Sequence, residues 1–117
     1  MNSRYSVKKN SDFRRIYSKG KSSVTPYLVV YCRRNKEDVN RVGFTVSSKL
    51  GHAVVRNRIR RRLREIYRLH TPELSCGWDI IIVARSRCVK GDFRKMESAF
   101  LESCQELSLI KKEVPSP

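Results

Sequence analysis

Long apolar runs are missing from this sequence: nowhere do 18 apolar residues follow one another, which excludes a helical membrane span. The opening stretch, Met1 to Lys9, is polar and basic and lacks the apolar segment of a secretory signal. Paired histidines and clustered carboxylates are absent as well, so no protein-borne hydrolytic centre is expected. Cys32, Cys76, Cys88 and Cys104 form no C-x-x-C pair, and only His52 and His70 could assist them, which removes zinc-site spacing. Each cysteine lies within or beside an apolar segment, so all four are expected to be buried free thiols in a reducing cytosol. Repeats and low-complexity tracts are lacking too. With 117 residues, 39% of them apolar, the chain has room for one modest core, and a single domain spanning residues 1–117 is expected.

Acidic residues are scarce in one region only. Residues 1–70 hold 19 Lys and Arg against Asp12, Glu37, Asp38 and Glu65, whereas residues 71–117 hold seven of each sign. The net charge of +15 therefore belongs to the first three fifths of the chain. A solubilising coat would spread such an excess. Concentrated self-repulsion points instead to a polyanionic partner.

The local pattern predicts a first helix over about Ser11 to Ser18, with Asn10 or Ser11 as N-cap, Gly20 after its end and a stripe of Phe13, Ile16 and Tyr17. Lys21 to Pro26 reads as a connection. Tyr27 to Arg34 and Arg41 to Ser48 read as strands of an antiparallel hairpin around the polar turn Asn35 to Asn40. Alternation puts Leu28, Val30, Cys32, Val42, Phe44 and Val46 on a core face. It leaves Tyr27, Val29 and Tyr31 opposite Gly43, Thr45 and Ser47 on a face open enough to be a groove. A second helix is expected from Val54 to His70, stopped by Thr71-Pro72. Asp79 to Arg85 is apolar on both faces and belongs in a sheet interior. A last helix runs from Phe93 to about Leu109 with Asp92 as N-cap, a core stripe of Phe93, Met96, Phe100, Cys104 and Leu107, and Glu97, Glu102 and Glu106 elsewhere on its surface. Val114 to Pro117 is expected to fray. Helices packed on one sheet, an α+β sandwich, is the natural architecture, with Arg41 to Arg85 forming a parallel strand–helix–strand unit. The general rule makes that crossover right-handed.

The second helix is where the charge gathers. Seven arginines and one acid lie between Arg56 and Arg68. At 100° per residue, Val55, Ile59, Leu63 and Ile66 form a buried arc with Tyr67 and Leu69 at its edges, while Asn57, Arg61, Arg64 and Arg68 point away from it. Arg56 and Arg60 flank one border, and Arg58 and Arg62 the other. Glu65 alone interrupts, within reach of Arg61 or Arg62. Like charges at this spacing repel, so the helix needs an external anion. Arginine rather than lysine suits planar, bidentate contact with phosphate or stacking on bases. Ahead of it, Ser47-Ser48-Lys49-Leu50-Gly51-His52 offers backbone N–H groups and the Lys49 ammonium to one further phosphate. Nothing resembles a helix-turn-helix, which disfavours DNA, and the tyrosines favour single-stranded or structured RNA.

From Val46 to Glu65 (VSSKLGHAVVRNRIRRRLRE) the sequence resembles the protein subunit of bacterial ribonuclease P, whose signature is Arg-Asn-Arg after Gly-x-Ala-Val, then a basic pair and Arg-Glu. Asp12-Phe13, Arg41-Val42-Gly43 and Asp79 to Arg85 extend the resemblance over nearly the whole chain. The resemblance implies a mixed sheet of about four strands with three helices in the order α-β-β-β-α-β-α and a left-handed crossover, against the general rule. It also implies a magnesium-dependent RNA subunit that removes the 5′ leader of precursor tRNA, in a cytoplasmic ribonucleoprotein whose small protein binds that RNA and the leader and is monomeric outside the holoenzyme. By position, Arg56, Asn57, Arg58, Arg60, Arg61 and Arg64 match the RNA-contacting helix, with Lys49 and Arg68 added from the charge pattern. Phe13, Tyr17 and Tyr31 match the cleft for the leader. Ser48 and Arg60 stand where lysine is frequent, and Arg62 stands where an apolar residue is frequent. The other readings open at this point are an RNA-binding protein of another assembly such as the ribosome, a stand-alone nuclease and a DNA-binding regulator.

Overall fold

The structure is a computed structural model that describes residues 5–111. Its elements are α1 (Asn10–Lys19), β1 (Lys21–Val24), β2 (Leu28–Arg34), β3 (Arg41–Thr45), α2 (Ala53–His70), β4 (Trp78–Ala84) and α3 (Phe93–Glu106). They form an α+β fold with one four-stranded mixed sheet in the order β1-β2-β4-β3. The expected fraying of Val114 to Pro117 lies outside the described residues.

Strand order departs from the expected hairpin. β2 and β3 are not neighbours, because β4 lies between them, antiparallel to β2 and parallel to β3. Ile80, Ile81 and Ile82 are all fully buried. Such a strand requires a neighbour on each edge and a cover on each face, which an edge position cannot supply. The polar turn that looked like a hairpin loop bridges two strand spacings, roughly 10 Å. Its asparagines hold the incoming strand: Asn35 N–H donates to the Gly77 carbonyl (3.0 Å), and the Trp78 N–H donates to Asn40 Oδ1 (2.8 Å). The strand–helix–strand unit is parallel as expected, with Arg41 paired to Asp79 and Thr45 to Val83.

Lys21–Val24, expected as a connection, is the edge strand β1. Its polar residues gave no apolar alternation to read. Ser23 is buried because its hydroxyl engages Ser103 Oγ (3.1 Å) and Glu106 Oε2 (3.0 Å) on α3. α1 starts one residue early, with Lys9 in the cap position and no side-chain cap, so neither Asn10 nor Ser11 caps it. Asp92 does cap α3, accepting from the Arg94 N–H at 2.8 Å.

The main core joins the Leu28–Val30–Cys32, Val42–Val46 and Ile80–Ile82–Ala84 face of the sheet to Ile59, Leu63 and Ile66 of α2 and to Met96, Phe100 and Cys104 of α3. Among the described residues, the second face carries α1 and a small cluster of Val7, Ile16 and Ile81. Leu69, placed at the edge of the buried arc of α2, is instead exposed, and Cys76 is the one thiol of the four that is exposed. Tyr27 precedes β2 and packs against the main core rather than lining the open face.

Candidate nucleic-acid interface

Apolar periodicity pins one side of α2 to the sheet and thereby turns its arginines outward. Gly51, at φ +146°, makes the turn into the helix, and Arg56 Nε donates back to its carbonyl at 3.2 Å. Arg60 Nη1 donates to Asn57 Oδ1 (3.0 Å), so these two are oriented together. Arg64 stands over the Phe44 ring at 5.8 Å from its centroid, within cation–π range. Arg58 and Arg62 lean away, toward the carbonyls of Val89 (3.5 Å) and Gly91 (3.0 Å); the latter is how the guanidinium beside the buried arc finds a polar partner. Arg61 is exposed and has no side-chain partner among the described residues.

Two of the predicted contacts sit differently from the rest. Arg68 chelates Glu65 through Nε (3.0 Å) and Nη2 (2.6 Å), so Glu65 pairs with Arg68 rather than with Arg61 or Arg62. The hydrogen bond from Arg68 lowers the Glu65 carboxyl below the usual range. Lys49 lies exposed in a short 3-10 turn, Ser48–Leu50, but its N–H donates to Ser47 Oγ (3.2 Å), leaving the ammonium as its contribution to an anion.

Phe13, Tyr17 and Tyr31 come together as expected. The Phe13 and Tyr17 rings lie 6.3 Å apart, and Tyr17 meets Tyr31 edge-on at 4.8 Å. Two residues that alternation put on the open face, Thr45 and Gly43, meet these rings directly. The Tyr17 hydroxyl and Thr45 Oγ1 share a hydrogen bond of 2.8 Å. Gly43 lies under Phe13, where a Cβ would come within 2.7 Å of the ring. A glycine inside a strand is the sequence signal for such a close approach. The register aligns Val24, Val29, Val83 and Thr45 in one cross-strand row beside the rings. Val24 is 63% exposed at the end of this row.

A depression of about 320 Å³ connects this aromatic cleft to the arginine face, lined by Phe13, Gly43 and Phe44 on one side and Arg60 and Arg64 on the other. At the end of the sheet, Arg41 clamps the buried Asp79 through two hydrogen bonds (2.8 and 2.6 Å) and reaches Asp12 on α1 at 3.7 Å. That clamp fixes α1, and with it the rings, over the sheet.

Other titratable groups lie away from this surface. His70 is half-buried at the end of α2 between Glu73 and Glu97, so Glu97 is a partner rather than surface decoration. Burial works against its charged form, but the two carboxylates outweigh it and raise its pKa. Burial pushes the Cys32 thiol up to about 11 and Cys104 to about 12, which leaves them protonated packing groups. Among the described residues, no three His, Cys, Asp or Glu side chains form a metal-ligand set, and no helix is long and apolar enough to cross a membrane.

Known proteins share this arrangement. The family model for ribonuclease P matches residues 1–108. The ribonuclease P protein component of Alkaliphilus oremlandii is 44% identical over 108 residues, covering 92% of this chain and 95% of that one. Among solved structures, the RNase P protein of Staphylococcus aureus aligns with a TM-score of 0.83 at 36% identity, over 92% of this chain and 98% of that one. The RNase P protein of Thermotoga maritima aligns with a TM-score of 0.76 at 32% identity, over 83% and 92% respectively. Through its sequence over nearly its whole length and through its fold, this chain belongs to the ribonuclease P protein family.

Proposed function

We propose that the chain is the protein component of a cytoplasmic ribonuclease P, one RNA-binding domain that holds the RNA subunit and the 5′ leader of precursor tRNA and so assists leader removal. The observation that carries this is the junction of two surfaces: the outward arginines of α2 meet the Phe13–Tyr17–Tyr31 cleft through the Arg60–Arg64 depression. Guanidinium groups neutralise phosphates and let RNA pack closely, while aromatic rings accept bases with little sequence preference. In this reading Arg56, Asn57, Arg58, Arg60, Arg61 and Arg64, with Lys49 and Arg68, face the RNA subunit. Phe13, Tyr17 and Tyr31 receive the single-stranded leader.

Among the described residues, no His, Cys, Asp and Glu side chains group into a set that fits a hydrolytic metal centre. We therefore assign the magnesium and the phosphodiester chemistry to the RNA subunit and no catalytic residue to the protein. Outside the holoenzyme the chain acts as a monomer. If six phosphates are neutralised, log K against log salt falls with a slope of about −4 to −5.

Cleavage of precursor tRNA at low magnesium, with protein alone, ribonuclease P RNA alone and both together, is the direct test. Activity in the mixture beyond that of RNA alone supports the proposal. No stimulation would move the chain to another RNA assembly, and cleavage by protein alone would reveal an active site on it.

A further inference from the structure

The neutrality of residues 71–117 conceals a second basic segment. Arg85, Arg87, Lys90, Arg94 and Lys95 fall within eleven residues with Asp92 alone against them, and the balancing acids Glu97, Glu102 and Glu106 follow along α3. Asp92 is engaged as the cap of α3. The ends of Arg87, Lys90, Arg94 and Lys95 have no side-chain partner among the described residues.

This segment folds around an aromatic ring from a distant part of the chain. The Tyr27 carbonyl accepts from the Arg85 N–H (2.9 Å) and the Cys88 thiol (3.0 Å), which ties the segment to the start of β2. Gly91 comes so close that a Cβ there would stand 3.3 Å from the Tyr27 ring and 2.8 Å from the Arg87 carbonyl oxygen. Two depressions, of about 310 and 410 Å³, share Tyr27 in their lining; Arg94 and Lys95 line one, Arg87 and Lys90 the other. The Tyr27 hydroxyl has no partner among the described residues. Cations interleaved with a half-exposed ring suit phosphates flanking a stacked base.

The position decides which nucleic acid. Arg58 and Arg62 of α2 hydrogen-bond to the carbonyls of Val89 and Gly91, so the segment abuts the border of the arginine helix. The Tyr17–Tyr31 cleft lies on the opposite face of the sheet, under α1. We infer that Tyr27, Arg87, Lys90, Arg94 and Lys95 form a second docking surface for the RNA subunit, continuous with α2, with phosphates at the four cations and a base on Tyr27. This rests on the reading of α2 as the face that binds that RNA.

Equilibrium binding of the full chain to ribonuclease P RNA across a salt series tests it, with R87A/K90A, R94A/K95A and Y27L measured beside R61A on α2. Each double variant removes two phosphate contacts and should flatten the slope of log K against log salt by about 1.4 to 1.8. Y27L keeps an apolar side chain beneath Gly91 and should weaken binding about tenfold through lost stacking. If Y27L melts below the parent, the double variants, which alter exposed side chains only, decide. Slopes unchanged in both double variants while R61A flattens its own would overturn this surface alone. An unchanged slope in R61A as well would overturn the α2 reading and this inference with it. Intact affinity for the RNA subunit with a raised KM for leader-bearing precursor would assign the surface to substrate and also overturn the inference.

Discussion

The two faces of the sheet have unlike tasks. One is closed by α2 and α3 over a core that includes Phe100, Met96, Leu63 and Ile82, all fully buried. Among the described residues, the other carries α1 and a small cluster of Val7, Ile16 and Ile81, with the Val24–Val29–Val83–Thr45 row beside the tyrosines. A face filled to native density has no space for a ligand, whereas a face covered by one short helix retains a cleft at the cost of apolar burial. In the proposed reading, leader recognition falls to the open face and most of the stability to the closed one. In that reading α2 serves both stability and RNA binding, through its buried arc and its outward arginines.

The comparison breaks first on the closed face. Phe100→Ala should cost about 3–5 kcal/mol in urea unfolding, while the protein that remains folded binds RNA as before; a cost below about 1 kcal/mol would mean the core is not centred there. On the open face the order reverses. Tyr17→Ala should leave stability close to that of the parent and weaken leader-bearing precursor selectively, by about 1–3 kcal/mol. Equal losses on precursor with and without a leader would count against the cleft. Gly43→Ala lies between these cases, since its methyl displaces the Phe13 ring. We expect a loss of about 1–3 kcal/mol in stability, accompanied by weaker leader binding and unchanged affinity for the RNA subunit. Arg61→Ala, which touches neither face, should leave unfolding unchanged and flatten the salt dependence of RNA binding by just under one unit of slope.

The smallest effect concerns the seam between α2 and α3. The folded pKa of His70 lies above its ordinary value of 6.5 because Glu73 and Glu97 flank it. Its stabilising contribution is therefore complete below about pH 6.5 and is lost as the pH rises through the folded value. Unfolding free energies of the parent and of His70→Gln, measured from pH 5 to 9, should converge at the alkaline end; a gap that widens with pH would reverse the assignment.

Much of the candidate interface was legible in local pattern. The spacing of Ile59, Leu63 and Ile66 already turned the arginines outward, and the helical repeat of Phe13 and Tyr17 placed both rings on one side of α1. What stayed hidden depends on partners far away in the chain. β1 buries one polar residue, Ser23, whose burial depends on Ser103 and Glu106, 80 and 83 positions on. Arg68 looked free, with Glu65 expected to pair with Arg61 or Arg62, but Glu65 pairs with Arg68. The basic segment after β4 vanished in a count taken over 47 residues, because the acids of α3 cancelled it.

By itself, the sequence determined the helices, their buried and charged sides, the two-faced character of β4, and the anionic nature of the partner. These follow from periodicities of 3.6 and 2 and from charge density, which neighbouring residues set among themselves. Only the tertiary structure decided that β4 separates β2 from β3, that Gly43 lies under Phe13, and that Tyr27 stands among cations some 60 residues away. Such juxtapositions arise when the apolar faces of all the elements are buried together, and no local window of the chain contains the residues that make that choice.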